Sequence, residues 1–526
     1  MNHCSNTNPH QALFVSAAFV SLLGFALPAH AQSEPAAVAA EPPGEVIPAE
    51  PPADVQPSPA SAPAAPAPAL PEVPSPSAPP EPKATATEPA SWFDRTPLTA
   101  TLGAGERQLS LTLYGFLQAD YIYDTTRSYD DAIGTRLVQR TDTYAGTVGR
   151  TQFSTRNTRL GLLFVSPALS GLRPRAVFEG DFFGNQPEHA SESELYDSPA
   201  FRLRHAYVHL ENDYVDVLLG QTYDVFGWQN LFFPATAEFL GLPNQVFSRH
   251  TQLRLARTFG KAAPFGVTLA AAAVRPGQRD SQIPDVNAGL LLSLNGLRGI
   301  TTKGNAGTEA LPLSLGVSGT LRHFKVDAFT PPPTQTSNGV LGWGVSVDAL
   351  LPVIPADNED DRGNRLTLTG SFVTGSGIGD LLTVTGGATF PTLPNPAQAN
   401  PPPEYHGNVD AGLVSFDTQG VLHTIDWQAF RVGLQYYLPP SGRFILAANY
   451  TQAHSKNLSD LFPRGGAEIE LQSRVADKSL YADVNLFWDA TPAVRLGVAG
   501  SYSKVEYLDG DSPDNIRCRA QALYFF

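Results

Sequence analysis

Nine arginines carry the chemistry most open to interpretation in this chain: Arg159, Arg175, Arg202, Arg204, Arg254, Arg322, Arg431, Arg517 and Arg519. Each falls on the polar parity of a segment in which apolar and polar residues alternate. A guanidinium stays charged and offers a planar fork suited to carboxylate or phosphate. A ladder of such groups along a water-filled passage would favour anions. Glu179, Asp181, Asp120 and Asp483 share the same parity. The arginines could equally pair with them and stiffen a wall, so both readings stand.

Other constellations point to less. Histidines at His205, His250, His323, His406, His423 and His454 could serve an outer-membrane barrel enzyme, yet no local motif ties one of them to a Ser or Asp nucleophile. The run Asp357-Asn358-Glu359-Asp360-Asp361 lacks the spaced ligands of a calcium loop and reads as a solvated turn. Gly375-Ser376-Gly377-Ile378-Gly379 opens no helix and is not a nucleotide cradle. No catalytic residue, metal or cofactor is called for. The formal net charge of -15 argues against a nucleic-acid partner.

The elements that must position the arginines are strands. From about residue 108 onward the dominant signal is period-two alternation over segments of about ten residues. Leu109, Leu111, Leu113, Leu117, Ala119 and Tyr121 oppose Ser110, Thr112, Tyr114, Gln118 and Asp120; Ala520, Ala522, Tyr524 and Phe526 oppose Arg517, Arg519 and Gln521. About sixteen strands are expected. Their centres fall at Leu113, Leu160, Phe178, Arg204, Val217, Leu253, Leu269, Leu290, Val317, Val345, Leu368, Leu434, Leu446, Val484, Val498 and Ala522.

Alternation alone suits a soluble sandwich or a membrane barrel. Connection lengths favour the barrel, because short turns such as Pro439 to Gly442 alternate with long ones such as Thr374 to Thr424. Aromatics at strand ends, including Tyr121, Tyr123, Tyr436, Tyr437 and Trp488, suit interfacial girdles. The expected fold is all-β, a transmembrane antiparallel up-and-down β-barrel spanning residues 91–526. An even strand number places both termini on one side, the periplasm.

Two segments precede the barrel. Residues 1–31 read as a secretory signal, with an apolar run from Leu13 to Leu27 and a cleavage pattern at Ala29-His30-Ala31. Residues 32–90 form a Pro/Ala-rich run that cannot build a core and reads as a disordered periplasmic linker. Extended, it could reach roughly 150 Å, enough to contact peptidoglycan. A structural tether to the cell wall is therefore a rival reading of the whole chain. Cys4 lies in the presumed signal, which leaves Cys518 without a disulfide partner in a mature chain.

Several runs resemble the DcaP-like trimeric outer-membrane porins: Tyr114-Gly115-Phe116 with Asp120, Arg159-Leu160-Gly161, Phe178 to Gly184, Arg202 to Tyr207, and Gly220-Gln221-Thr222. The resemblance implies a homotrimer of sixteen-stranded barrels in outer-membrane lipid, passing small solutes that are often negatively charged, such as dicarboxylates. The family's helical N-terminal segment has no counterpart here, where proline excludes heptads.

A diffusion channel of this kind selects by width and lining charge. The connection from Asp224 to Arg249 is unusually apolar for an external loop, with Phe226, Trp228, Phe232, Phe233, Phe239 and Leu240, and it is expected to pack inside the barrel and narrow it. His205 and His209 fall on the apolar parity, where only a subunit interface or a shifted register would accommodate them. Phe526, on the last strand, is expected to be the signal read by the barrel-assembly machinery.

Overall fold

In a computed structural model of the chain, the described residues are 98–526 apart from 104–107, 135, 185–198, 230, 240, 278–280, 304–306, 327–338, 358–361, 384–411, 418–420 and 462–474. The expected signal (1–31), linker (32–90) and most of the acidic run after Asp357 lie outside the described residues.

Twenty strands occur among the described residues. In chain order they are β1 (Leu98–Leu102), β2 (Leu109–Asp124), β3 (Arg150–Ser154), β4 (Arg159–Val165), β5 (Arg173–Asp181), β6 (Arg202–Glu211) and β7 (Asp216–Tyr223). There follow β8 (Arg249–Phe259), β9 (Phe265–Val274), β10 (Asp285–Lys303), β11 (Gly307–Lys325), β12 (Gly339–Ile354) and β13 (Arg365–Ser376). The chain continues through β14 (Val414–Phe416), β15 (Leu422–Thr424), β16 (Asp426–Tyr437), β17 (Phe444–Ser455), β18 (Ala476–Asp489), β19 (Val494–Tyr507) and β20 (Asp514–Phe525).

All except β14 and β15, which pair only with each other, belong to one antiparallel sheet of 18 strands that closes on itself where β2 meets β20. β3 and β4 are two halves of one stave, since the upper part of β2 pairs with β3 and the lower part with β4. β1 is an addition that pairs only with Leu109–Leu113 of β2. The result is a closed barrel of sixteen staves. Each of the sixteen expected strand centres lies within one of them. Closure gives each stave a neighbour on both sides and so leaves little open sheet edge.

The polarity decides between sandwich and membrane barrel. On β20, Asn515, Arg517, Arg519 and Gln521 are buried while Ile516 and Tyr524 are exposed. On β18, Asn485 is fully buried and Val484 is 56% exposed. A soluble protein would bury the opposite set; apolar residues outside and polar residues inside is the pattern of an outer-membrane barrel. The connections obey the expected alternation. Those at the rim that holds Leu109 and Phe525 are short, as between β6 and β7 or β18 and β19, and those at the far rim are long, as between β2 and β3 or β13 and β16.

One register correction follows from β6. Glu179 pairs with His205, but Gly180 pairs with Leu203, so Arg204 is an extra residue bulged into the ladder. A bulge turns two successive side chains to one face and inverts the parity beyond it. Arg204 and His205 are therefore both buried inside the barrel, and His209 also faces the lumen, where its Nδ1 accepts from Arg175 Nε at 2.8 Å. No subunit interface is needed to shelter either histidine.

Candidate functional site

The connection 224–248 leaves β7 and folds into the lumen, as its apolar content led one to expect. Val225, Phe226, Phe232, Ala235, Ala237 and Leu242 are at most 1% exposed. Leu240 lies outside the described residues. The segment enters on the β10–β11 side, where Trp228 lies flat over the backbone and donates from Nε1 to Val317 O at 3.1 Å. Space for the indole exists because two facing positions are glycine: a Cβ on Gly289 or Gly316 would stand 2.8 or 2.7 Å from the ring.

From there the loop crosses the barrel and takes partners from several staves in turn. Arg431 donates to Phe232 O at 2.7 Å, Asn449 to Ala235 O at 2.8 Å, and Thr236 Oγ1 to Asp483 at 2.7 Å. On the last stave, Arg519 donates to Ala237 O at 3.0 Å and to Glu238 at 3.1 Å. These lumenal polar side chains satisfy backbone groups that an inserted loop would otherwise bury unpaired.

Between the loop and the wall formed by β2 and β4–β7 remains a cavity of about 320 Å³. Its wall side carries Tyr114, Arg159, Glu179, Arg204, His205, Tyr207 and Tyr223; its loop side carries Phe233, Thr236, Glu238 and Phe239; Thr308 and Glu309 close it at the rim of the short turns. Bands of tyrosine and phenylalanine with few fixed charges are typical of a small-solute site.

The nine arginines all lie on the lumen side, in three kinds of environment. Arg322 is locked by Asp285 at 2.9 Å and Asp380 at 2.5 Å, and Arg517 makes a two-pronged contact with Asp124 at 2.8 Å on both prongs. Arg519 belongs to the same group, bonded to Glu238 and 3.8 Å from Asp120. For these three the pairing alternative describes the geometry: a carboxylate neutralises each guanidinium in the wall.

Arg431, Arg254 and Arg175 have no carboxylate within ion-pair reach among the described residues. Arg431 holds the loop, Arg254 donates to Gln252 Oε1 and Tyr223 O, and Arg175, exposed near the short-turn rim, bonds His209.

Arg159, Arg202 and Arg204 form the third group, gathered about Glu179 and Asp181, with Arg159 and Arg204 lining the cavity. Arg204 donates to Glu179 at 2.7 Å and Asp181 at 3.0 Å, and Arg202 reaches Asp181 at 2.6 Å. Arg159 stands 3.6 Å from Glu179 without hydrogen-bonding it, and its Nε is buried with no partner. These three are among the nine arginines that alternation singles out, but a fourth member of the cluster, Arg249, is not. Arg249 lies between the Tyr223 and Phe247 rings, 5.4 and 5.3 Å from their centroids, with a buried Nη1 that has no partner. Tyr223 joins the two sides, since its hydroxyl also accepts from Arg204 at 3.2 Å. The only signal for Arg249 in the sequence is its place at the junction of the inserted loop and the next strand.

Four guanidinium groups thus cluster about Glu179 and Asp181 on this side of the lumen; of them Arg159 and Arg204 line the cavity, together with Glu179, Glu238 and Glu309. Both nitrogens, Arg159 Nε and Arg249 Nη1, are buried beside aromatic rings without a hydrogen-bond partner in the protein.

Ser248, Asp224 and His250 also come together near the loop's end. His250 Nδ1 lies 2.7 Å from Asp224, but Ser248 donates its own hydroxyl proton to the same carboxylate at 2.6 Å. The serine is not set against the imidazole, so the arrangement activates no nucleophile.

No family model matches the chain, and no curated protein sequence does. Among solved structures, the outer membrane channel DcaP of Acinetobacter baumannii aligns over 81% of this chain and 100% of its own length, with a TM-score of 0.57 and 18% identity. An anion-selective porin from Comamonas acidovorans aligns over 80% of this chain and 100% of its own, with a TM-score of 0.42 and 12% identity. The first of these shares its fold with this chain.

Proposed function

We propose that this sixteen-stranded channel fold serves as a porin, a water-filled diffusion path through the outer membrane for small hydrophilic solutes, with a preference for anions such as carboxylates. The observation that supports the preference is the cluster of four guanidiniums on one side of the lumen, Arg159, Arg202, Arg204 and Arg249, the first and third of which line the cavity. The membrane setting is supported by the exposed apolar band, in which Val432, Val484 and Val498 are each more than half exposed.

A homotrimer is part of the same proposal. β7 has eight residues, fewer than the roughly nine to eleven a lipid-crossing strand needs, whereas β12 has 16. A wall this short is better covered by a second copy than by lipid. The proposal also places both termini in the periplasm, the rim of the short turns, and assigns Phe526 the role of assembly signal. That residue sits at the seam, where its backbone exchanges two hydrogen bonds with Gly115 at 3.2 Å. The signal at 1–31 and a linker at 32–90 able to reach peptidoglycan complete the reading.

The test is reconstitution of the purified protein in a planar bilayer, with reversal potential read under a salt gradient. Stepwise conductance with anion selectivity is expected. Cation selectivity would remove the anion preference and keep the porin; a folded protein without conductance would remove both.

A further inference from the structure

The lumen is occupied from both rims. Loop 224–248 enters from the rim of the long connections, and the tip of the β10–β11 hairpin enters from the other. Both strands run 19 residues. Their ladder is regular up to the pair Leu294 and Leu313, but the next pair is Arg298 with Pro312, so Asn295, Gly296 and Leu297 have no opposite number. An unmatched insertion on one strand bends a hairpin. Asn295 marks the end of the wall, donating to Gly260 O at 3.2 Å and Ala263 O at 2.8 Å in the neighbouring turn.

Beyond the bend the tip points across the inside of the barrel. Thr367 Oγ1 donates to Ile300 O at 3.3 Å, Thr302 N donates to Gln435 Oε1 at 2.8 Å, and the hydroxyls of Thr302 and Tyr437 are 2.8 Å apart. These partners belong to β13 and β16, three and four staves away from β10. Ile300 is 1% exposed and packs in one cluster with Ala235 and Ala237 of the inserted loop. On its other side the tip presents Thr308 and Glu309 to the cavity that Arg159 lines.

We propose that the tip of this hairpin is a second constriction element, which together with loop 224–248 confines the solute path to the arginine-bearing wall and sets its width. The proposal rests on the porin reading. A hydrogen-bonded ladder of six residue pairs is stiffer than a loop, so it fixes a size limit that the loop alone would leave loose. Ile300 is the residue that seats it: its burial against Ala235 and Ala237 joins the two inserted elements into one partition.

The experiment compares the purified protein with two variants in planar bilayers and, in proteoliposome swelling, with sugars of graded size. In the first variant residues 295–312 are replaced by Asn-Gly, a two-residue turn that lets Leu294 and Leu313 close the hairpin. The second, Ile300→Asp, keeps the chain length and makes the seated position untenable by burying an unpaired charge. Folding of each is checked by its heat-dependent mobility in gels. Either variant, once folded, is expected to raise conductance at least about twofold and to admit larger sugars. Unchanged conductance and size limit in the folded variants would overturn the proposal while leaving the porin intact. Silence of the folded parent and variants alike would overturn the porin reading and this one with it.

Discussion

The guanidinium of Arg519 lies 3.8 Å from the centroid of the Phe239 ring. Arg519 belongs to the last stave and Phe239 to the loop that starts from the fifth, so this stacking closes the loop's path across the lumen. The same guanidinium donates to Ala237 O and Glu238 of that loop.

Arg519→Ala is therefore expected to loosen the far end of the loop. Glu238 would keep only Arg517, at 3.7 Å, inside a buried setting. Leaving a buried charge short of its partner costs on the order of 3 kcal/mol. A lower unfolding temperature and noisier open-channel current in bilayers are the expected readings, and quiet current at unchanged stability would speak against the anchoring role.

Trp228 tests the near end. Trp228→Ala empties the space over Gly289 and Gly316 and should destabilise by about 3 kcal/mol or more. Gly316→Leu should act in the opposite geometric sense, driving the indole off the wall and the loop with it. Denaturant unfolding measures the first. Increased proteolysis within 224–248 reports the second.

The guanidinium cluster about Glu179 and Asp181 makes a signed forecast. Arg249→Gln removes one of the four guanidiniums clustered here and is expected to reduce the anion-to-cation permeability ratio roughly by half, with Arg249→Lys retaining most of it. Reversal potential under a salt gradient decides.

Glu179→Gln should shift selectivity the other way. It leaves Arg159 and Arg204 with less compensation, so anion selectivity rises while stability falls by about 3 kcal/mol. A mutant pair that moved in the same direction would show that these charges stiffen the wall without steering solutes.

Outside the membrane-spanning staves, the first long connection is clasped to the last hairpin. Arg140 reaches Asp509 at 2.7 Å, and Thr141 bonds Asp511 through its amide and hydroxyl. Partial burial raises the Asp509 carboxyl, but the hydrogen bond and charge of Arg140 outweigh it and hold the group below its ordinary value. A depressed carboxylate contributes stability that is present above its unfolded-state value and lost as pH falls through its folded-state value. Hydrogen exchange across 125–149 is expected to quicken on acidification below the ordinary carboxylate range. In Asp509→Asn it should already be fast at neutral pH and change little.

Much of this is legible in the residue order, for a reason that period-two geometry explains. A stave wet on one side and apolar on the other announces itself over ten residues, which is why alternation alone assigns Val484 and Asn485 to opposite faces. It misplaces His205 because a bulge is a one-residue event whose sequence mark, Arg204 beside His205, resembles any polar pair. It passes over Arg249, which opens a strand at the point where alternation has only begun. The inward hairpin is invisible for a different reason. Ile300 and Thr302 find their partners on β13 and β16, more than sixty residues away, and no local pattern encodes contacts across a lumen. The same distance problem leaves the arginines undecided in the sequence, since whether Arg322 binds solute or wall depends on Asp285 and Asp380 arriving from two other parts of the chain.

The short strand β1 has a bearing on how such a molecule reaches its closed state. β20 meets β2 only from Phe116 upward, and β1 occupies Leu109–Leu113 below it. Before the last strand arrives, β2 is a bare edge, the kind of surface on which nascent sheets from neighbouring chains adhere. A tethered strand from immediately upstream reaches that edge at high local concentration and with a short search, so it covers the lower seam early in folding and remains afterwards as its hem.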